Sequence, residues 1–531
     1  MAHTNKSSAL RSSTRPAAQK RVAANGSVKL EQGALSIDDV VRVAREGGRV
    51  EVSSKSIAAM KKSRAVVERA LKDGDAHYGI NTGFGSLSKQ RIGEADLAAL
   101  QRNLVRSHAA GVGEPLPRDV VRAMMLLLAA SLARGLSGVR PVVCETIVAM
   151  LNKGVTPVVP SVGSVGASGD LAPLSAAALV AIGEGEAEYK GRRMGGGAAM
   201  KAAGIRPVEL SAKEGLALIN GTHLMAGWGS LLSHEASTVF GAATIATAMS
   251  IDACRATDEF LDDRLYRARA SENMRLVAER IRELLRSSEI VPSHVVDDPR
   301  VQDPYSLRAS PTVLGACWAA MGSLNAVLEY DELGAVTDNP LVFPTTGSKG
   351  DILSGANFHG MPLAIPLDTL AIALCHIAGI AERRIYLITG AFEPESRLKP
   401  YLSPQPGLQS GLMIAQYTAA ACVNEMVGLA TPASVANIPT SAGMEDYNSF
   451  GPRSAAKAAR SLDLARHVVA IELICAAQGL EAHRPLKSGK GVEAAYKTVR
   501  SKVKKLTEDR PLTADIEAVS ELIRDGAFAG V

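Results

Sequence analysis

The chain has 531 residues, of which 47% are apolar, 21% charged and only 4% aromatic. This composition supports a sizeable core and excludes wholesale disorder, and the shortage of aromatics argues for close-packed helices and against stacking platforms for nucleic acid. The formal charge of +5 is local: Lys6, Arg11, Arg15, Lys20 and Arg21 lie in an acid-free stretch, and without them 54 basic residues face 54 acidic ones, so the neutral remainder has no footprint for a polyanion.

In chain order, residues 1–27 read as a disordered basic tail. Residues 28–212 read as a smaller N-terminal region of mixed structure, and 213–531 as a bundle of long helices. Short helices are expected between 35 and 70, with a strand near 49–52. The run Tyr78-Gly79-Ile80-Asn81-Thr82-Gly83-Phe84-Gly85 is a loop, because repeated glycine permits positive φ and close backbone approach. Helices follow over 96–108 and 118–134. Pro157 and Pro160 interrupt 154–170 before helix resumes over 171–182. Residues 183–210 predict a hairpin, with its turn in Tyr189-Lys190-Gly191-Arg192-Arg193. The periodicity then predicts helices over 213–257, 270–288, 311–331, 361–391, 409–429 and 453–478, punctuated by proline and glycine. The fold class is mainly α.

The longest apolar stretches contain Pro366, Asp368 and His376, or His234 and Glu235. They are too interrupted for lipid and read as core helices. Six widely spaced cysteines read as buried thiols of a reducing compartment, and the N-terminus has no apolar leader, so a cytoplasmic protein is expected. Neither a GxSxG elbow nor a phosphate loop occurs. His234-Glu235 lacks the second histidine of a zinc helix, so no metal is expected.

The most informative string is Gly166-Ala167-Ser168-Gly169-Asp170-Leu171-Ala172-Pro173-Leu174. Taken alone it is a good helix start, with Ser or Asp as N-cap and Pro173 in the first turn. It also permits chemistry. A tight Ala-Ser-Gly turn can bring the Gly169 nitrogen onto the Ala167 carbonyl, where glycine removes the obstructing Cβ. Ring closure releases one water and dehydration of Ser168 another, leaving a methylidene-imidazolone electrophile at a helix N-terminus that favours developing negative charge.

With these residues the chain resembles the aromatic amino acid ammonia-lyase and aminomutase family over about 30–520. The resemblance implies that Ala167, Ser168 and Gly169 form the methylidene-imidazolone group autocatalytically, with no external cofactor. It implies a homotetramer with shared active sites acting on a small amino acid. Tyr78 corresponds to the catalytic base, which must be well placed and partly deprotonated to take a weakly acidic β-proton. Asn220 corresponds to the asparagine bonded to the prosthetic group, and His223 stands where the family usually has glutamine or another residue. Arg308 corresponds to the carboxylate-binding arginine, whose fork matches two oxygens. Tyr305 and Gln302 would line the site, and Ser310-Pro311 looks like the N-cap and first position of the next helix. Phe358 matches a phenylalanine near the group, beside His359.

His108 and Glu425 bear on the substrate. The resemblance gives them to the imidazole end of histidine, where a buried carboxylate would face the ring; the same pair suits a phenol, and a Glu paired with an Arg is the plainer alternative. Ala309, Asn424, Met426, Thr431, Gly443, Met444 and Tyr447 depart from the histidine-lyase pattern, whereas Pro439-Thr440-Ser441-Ala442 and Glu445-Asp446 keep it. These departures favour tyrosine, as lyase or 2,3-aminomutase, with histidine to urocanate as the alternative. A catalytically dead scaffold would be expected to lack one of Tyr78, Ser168 or Arg308, and all three are present.

Overall fold

A computed structural model of the chain describes residues 26–296, 298–345 and 350–531. Apart from Gly26 and Ser27, the basic tail expected over 1–27 lies outside the described residues.

The architecture is mainly helical, as expected. The N-terminal region begins with a strand, Val28–Leu30, pairing in parallel with Val50–Val52 around the helix Ile37–Arg45. That helix starts with a capping box: the Ser36 hydroxyl accepts from the Asp39 N–H and the Asp39 carboxylate answers the Ser36 N–H. Strands Glu186–Tyr189 and Arg192–Gly195 form the expected hairpin, turning at Lys190-Gly191, with Thr156–Pro157 added on one edge. The helices Leu97–His108, Arg118–Ala133 and Leu171–Ala181 fall within a residue of their predicted spans.

The bundle rests on three long helices, His223–Cys254, Met361–Gly390 and Gly451–Gly479, with Ser310–Ala326 and Met413–Leu429 packed alongside. They share one continuous apolar core with the N-terminal helices. Three segments, His223–Cys254, Ser310–Glu332 and Met361–Gly390, have the length and apolarity to cross a membrane. The first and third bury most of that surface against the chain itself, whereas Ser310–Glu332 leaves more than half of its apolar window uncovered. All six cysteines are free thiols.

Two expectations are corrected. The helix predicted over 213–257 is two helices, Glu214–Ile219 and His223–Cys254, broken at 220–222. The break is imposed by the fold: Gly221 leaves helical geometry at φ +130 and forms a parallel bridge with Gly169. Ser310 does not cap its helix. It is the first helical residue, and its hydroxyl donates to the Ser306 carbonyl at 2.7 Å.

Candidate active site

The turn 166–170 is held from four directions. The Gly166 carbonyl accepts from the Gly360 N–H at 3.1 Å and the Ser449 hydroxyl at 3.0 Å, while the Val165 carbonyl accepts from the Phe450 N–H at 2.9 Å. The Asp170 N–H donates to the Gly221 carbonyl at 2.8 Å. Within the turn, Ser164 Oγ lies 3.2 Å from the Gly169 carbonyl and 3.1 Å from Asp170 Oδ1. Ala167 is buried, and the Ser168 hydroxyl donates to Glu445 Oε1 at 2.5 Å.

Gly169 has φ +72, and a Cβ there would lie 2.1 Å from the Gly221 carbonyl oxygen. No flexible side chain is available to move aside, so both the conformation and the close approach require glycine.

Asp170 stands at the N-cap position of Leu171–Ala181, but its side chain makes no cap bond there. Its buried carboxylate instead accepts from the Leu224 and Met225 N–H groups at 2.9 and 3.1 Å, capping the start of His223–Cys254. Burial is the largest influence on this acid and pushes it up to about 7, against the lowering effect of those bonds. Glu332, which accepts from the Thr222 hydroxyl at 2.7 Å, is also pushed up to about 7 by burial. The turn and the neighbouring helix start are thus tied by one carboxylate.

Asn220 follows directly behind. Its Nδ2 donates to the Asn339 carbonyl at 3.2 Å, while its buried Oδ1 has no hydrogen-bond partner among the described residues. Both ring nitrogens of His223 are likewise unpartnered among those residues. Burial, with the charge of Arg134, depresses this imidazole to about 3, so it stays neutral. The sign follows from the depressed value. His223 supports folding above the usual histidine pKa near 6.5 and that support fades as pH falls toward 3. His223→Gln is therefore expected to narrow the loss of unfolding free energy between pH 7 and pH 5 by about 2 kcal/mol, measured by urea titration at both pH values. An unchanged difference would refute the assignment.

Tyr78 sits in the glycine loop, and its hydroxyl oxygen accepts from the Gly85 N–H at 3.3 Å. A partly deprotonated phenol was expected. Within one chain the opposite holds: burial raises the pKa above 10, the Gly85 bond opposes this, and the Glu445 carboxylate adds to the rise. Glu445 thereby links the serine and the tyrosine. Glu445-Asp446 is visible as a motif in the sequence, but its role in the turn is not.

Phe358 is half-buried two residues before Gly360, whose N–H meets the turn. The remaining expected residues are not hydrogen-bonded to the turn among the described residues. Arg308 donates through Nε to the Asp303 carbonyl at 2.9 Å and lies over the Tyr305 ring at 4.4 Å; Tyr305 is 71% exposed and Gln302 is exposed. The His108 ring nitrogen Nδ1 lies 2.9 Å from the Leu104 carbonyl of its own helix. Glu425 is not the buried carboxylate that its apolar helix suggested. It is exposed and takes two bonds from Arg460, at 2.7 and 3.0 Å, which lower its pKa. The physical reason is that Met413–Leu429 turns apolar groups outward too: Ile414, Tyr417 and Val427 are exposed.

A sequence model of the aromatic amino acid lyases matches residues 35–501. The chain belongs to that family. Histidine ammonia-lyase of Caldanaerobacter subterraneus subsp. tengcongensis is 45% identical over 95% of this chain and 98% of its own length. Among solved structures, histidine ammonia-lyase from Trypanosoma cruzi superposes with a TM-score of 0.87 at 37% identity, covering 95% of this chain and 94% of that one. Tyrosine aminomutase from Streptomyces globisporus reaches 0.88 at 35% identity, covering 95% and 98%. The lyase therefore shares its fold and nearly its whole length with enzymes of both substrate types.

Proposed function

We propose that this aromatic amino acid lyase eliminates ammonia from L-histidine to give urocanate. The carrying observation is the curated relatives: histidine ammonia-lyases match at 45–46% identity over more than nine-tenths of the chain, whereas the tyrosine aminomutase stands at 35%. The departures around Glu425 favoured tyrosine in the sequence, and this weight of similarity reverses that preference.

The turn suits the methylidene-imidazolone group. Gly169 occupies a place no other residue fits, Ser168 projects its hydroxyl onto a carboxylate, and buried Asn220 carries in its side-chain amide the N–H donor that a ring bearing only acceptors needs. Ala167, Ser168 and Gly169 would form the group, and Asn220 would hold it. Once formed, the group supplies an electrophile that turns the substrate amine into a leaving group.

The chain's own residues do the rest. Arg308 binds the substrate carboxylate through its guanidinium fork. Tyr78 takes the β-proton; its raised pKa means that the phenolate needs positive charge close by. His108 and Glu425 meet the ring end. Because Tyr305 and Glu425 are exposed and, like half-buried Arg308, make no hydrogen bond to the turn among the described residues, the reading includes a homotetramer in which neighbouring chains bring these groups together. The exposed apolar residues Tyr330, Ile365, Ile372, Ile414 and Val427 support such an assembly.

The test offers purified full-length protein L-histidine, L-tyrosine and L-phenylalanine side by side, measuring unsaturated acids and β-amino acids. Urocanate formation with kcat/KM at least about a hundredfold above the other two is expected, since a site built to hydrogen-bond a ring discriminates strongly against rings lacking it. Preference for tyrosine, or a β-amino acid as the main product, would overturn the reading.

A further inference from the structure

We propose that the buried Arg384–Glu472 pair, working through Ser310, is a positioning device for the Arg308 carboxylate site; the proposal rests on the reading of Arg308 given above. Arg384 and Glu472 are both fully buried, joined by Nε to Oε1 at 2.5 Å and Nη2 to Oε2 at 2.9 Å. Arg384 lies in Met361–Gly390 and Glu472 in Gly451–Gly479; Ser250, from His223–Cys254, donates to Glu472 Oε1 at 2.7 Å. The three long helices of the bundle thus meet at this pair.

Apolar side chains of similar size would join three helices at least as well, because two charges brought out of water recover little net stability. Apolar groups could not, however, supply donors. Arg384 has a third arm, and Nη1 donates to the Ser306 carbonyl at 3.2 Å and to Ser310 Oγ at 3.0 Å. Ser310 passes its own hydroxyl proton to the same Ser306 carbonyl at 2.7 Å.

Ser306 lies inside Tyr305–Arg308, a helix of one turn. A single turn does not sustain itself, since nucleation fixes several residues for one hydrogen bond. It is pinned at both ends. At its start, the buried Asp303 carboxylate accepts from the Thr257 N–H at 3.0 Å, and the Asp303 carbonyl accepts from Arg308 Nε at 2.9 Å. At its end, Arg384 and Ser310 hold the Ser306 carbonyl. The reach of the Arg308 fork is therefore set from the centre of the bundle, with no contact between Arg384 and the substrate.

The test uses full-length Ser310→Ala and Arg384→Lys, with Arg308→Ala as reference. KM and kcat are measured for L-histidine, and inhibition constants for urocanate, which carries the carboxylate, and histamine, which lacks it. Both positioning variants are expected to raise KM and the urocanate constant about tenfold, because small misplacements of a binding group are costly. The histamine constant stays unchanged. A merely structural role would weaken both inhibitors alike, and that result, or no change in either, overturns the proposal. If Arg384→Lys does not fold, Ser310→Ala decides alone, because it leaves the charged pair intact. If Arg308→Ala fails to discriminate between the two inhibitors, the Arg308 assignment itself falls and this proposal with it. Discrimination by Arg308→Ala without discrimination by Ser310→Ala removes only the positioning role.

Discussion

Gly169→Ala is expected to lose all measurable elimination and to keep the full mass of its sequence. The added Cβ would lie 2.1 Å from the Gly221 carbonyl oxygen, 2.3 Å from its carbon and 2.6 Å from the Gly221 nitrogen. All three are backbone atoms, and Gly221 is itself confined, since a Cβ there would meet His223 and the Thr337 hydroxyl at 2.5 Å. The turn therefore has to open. Positive φ at alanine and overpacking together cost about 2–5 kcal/mol, read as a lowered urea midpoint. Opening the turn also pulls the residue 169 nitrogen away from the Ala167 carbonyl. An active Gly169→Ala protein lighter than its sequence would show that the turn does not need this geometry.

Tyr78→Phe is expected to behave differently. The ring still packs in the glycine loop, so the protein should fold and should be lighter than its own sequence by the same two waters as wild type. The rate, however, should fall about 10²–10⁴-fold, the usual contribution of a positioned base. The pH dependence gives a second reading of the same residue. Burial and the Glu445 carboxylate hold the free-chain phenol above its ordinary pKa of 10. A base must lose its proton to act, so kcat/KM in wild type should still be climbing above neutrality, with no plateau before the phenol's own range, since this ratio follows the free enzyme. The phenylalanine variant should lack that limb. A wild-type plateau already reached near neutrality would mean that a neighbouring subunit supplies the missing positive charge before substrate arrives.

Much of the fold was legible because the signals are local. Apolar residues at helical spacing marked the long helices within a few residues, and Lys190-Gly191 marked its hairpin. The break at 220–222 was not legible. Gly221-Thr222 lies in apolar sequence without proline, and what stops the helix is Gly169, 52 residues earlier in the chain and bridged to Gly221. The site divides in the same way. Ala167-Ser168-Gly169 is read from one contiguous string. Its partner Glu445 is 277 residues away, and nothing in the local sequence joins them. Asp170 looked like an ordinary cap because it precedes a helix, yet its carboxylate serves the start of another. Glu425 misled for a related reason: an apolar helix implied burial, but this helix faces outward in one chain. Arg384 and Glu472 carry no local mark of their pairing, since sequence pattern does not tell a solvated charge from a paired one in the core.

The proposed chemistry depends on residues 167–169 converting themselves into the reactive group. The most direct measurement is the intact mass of the purified full-length protein beside its Ser168→Ala variant. Wild type is expected to be lighter than its sequence by two water molecules, one from ring closure and one from dehydration of Ser168, while Ser168→Ala cannot lose the second. A wild-type protein that turns over substrate at the full mass of its sequence would contradict it.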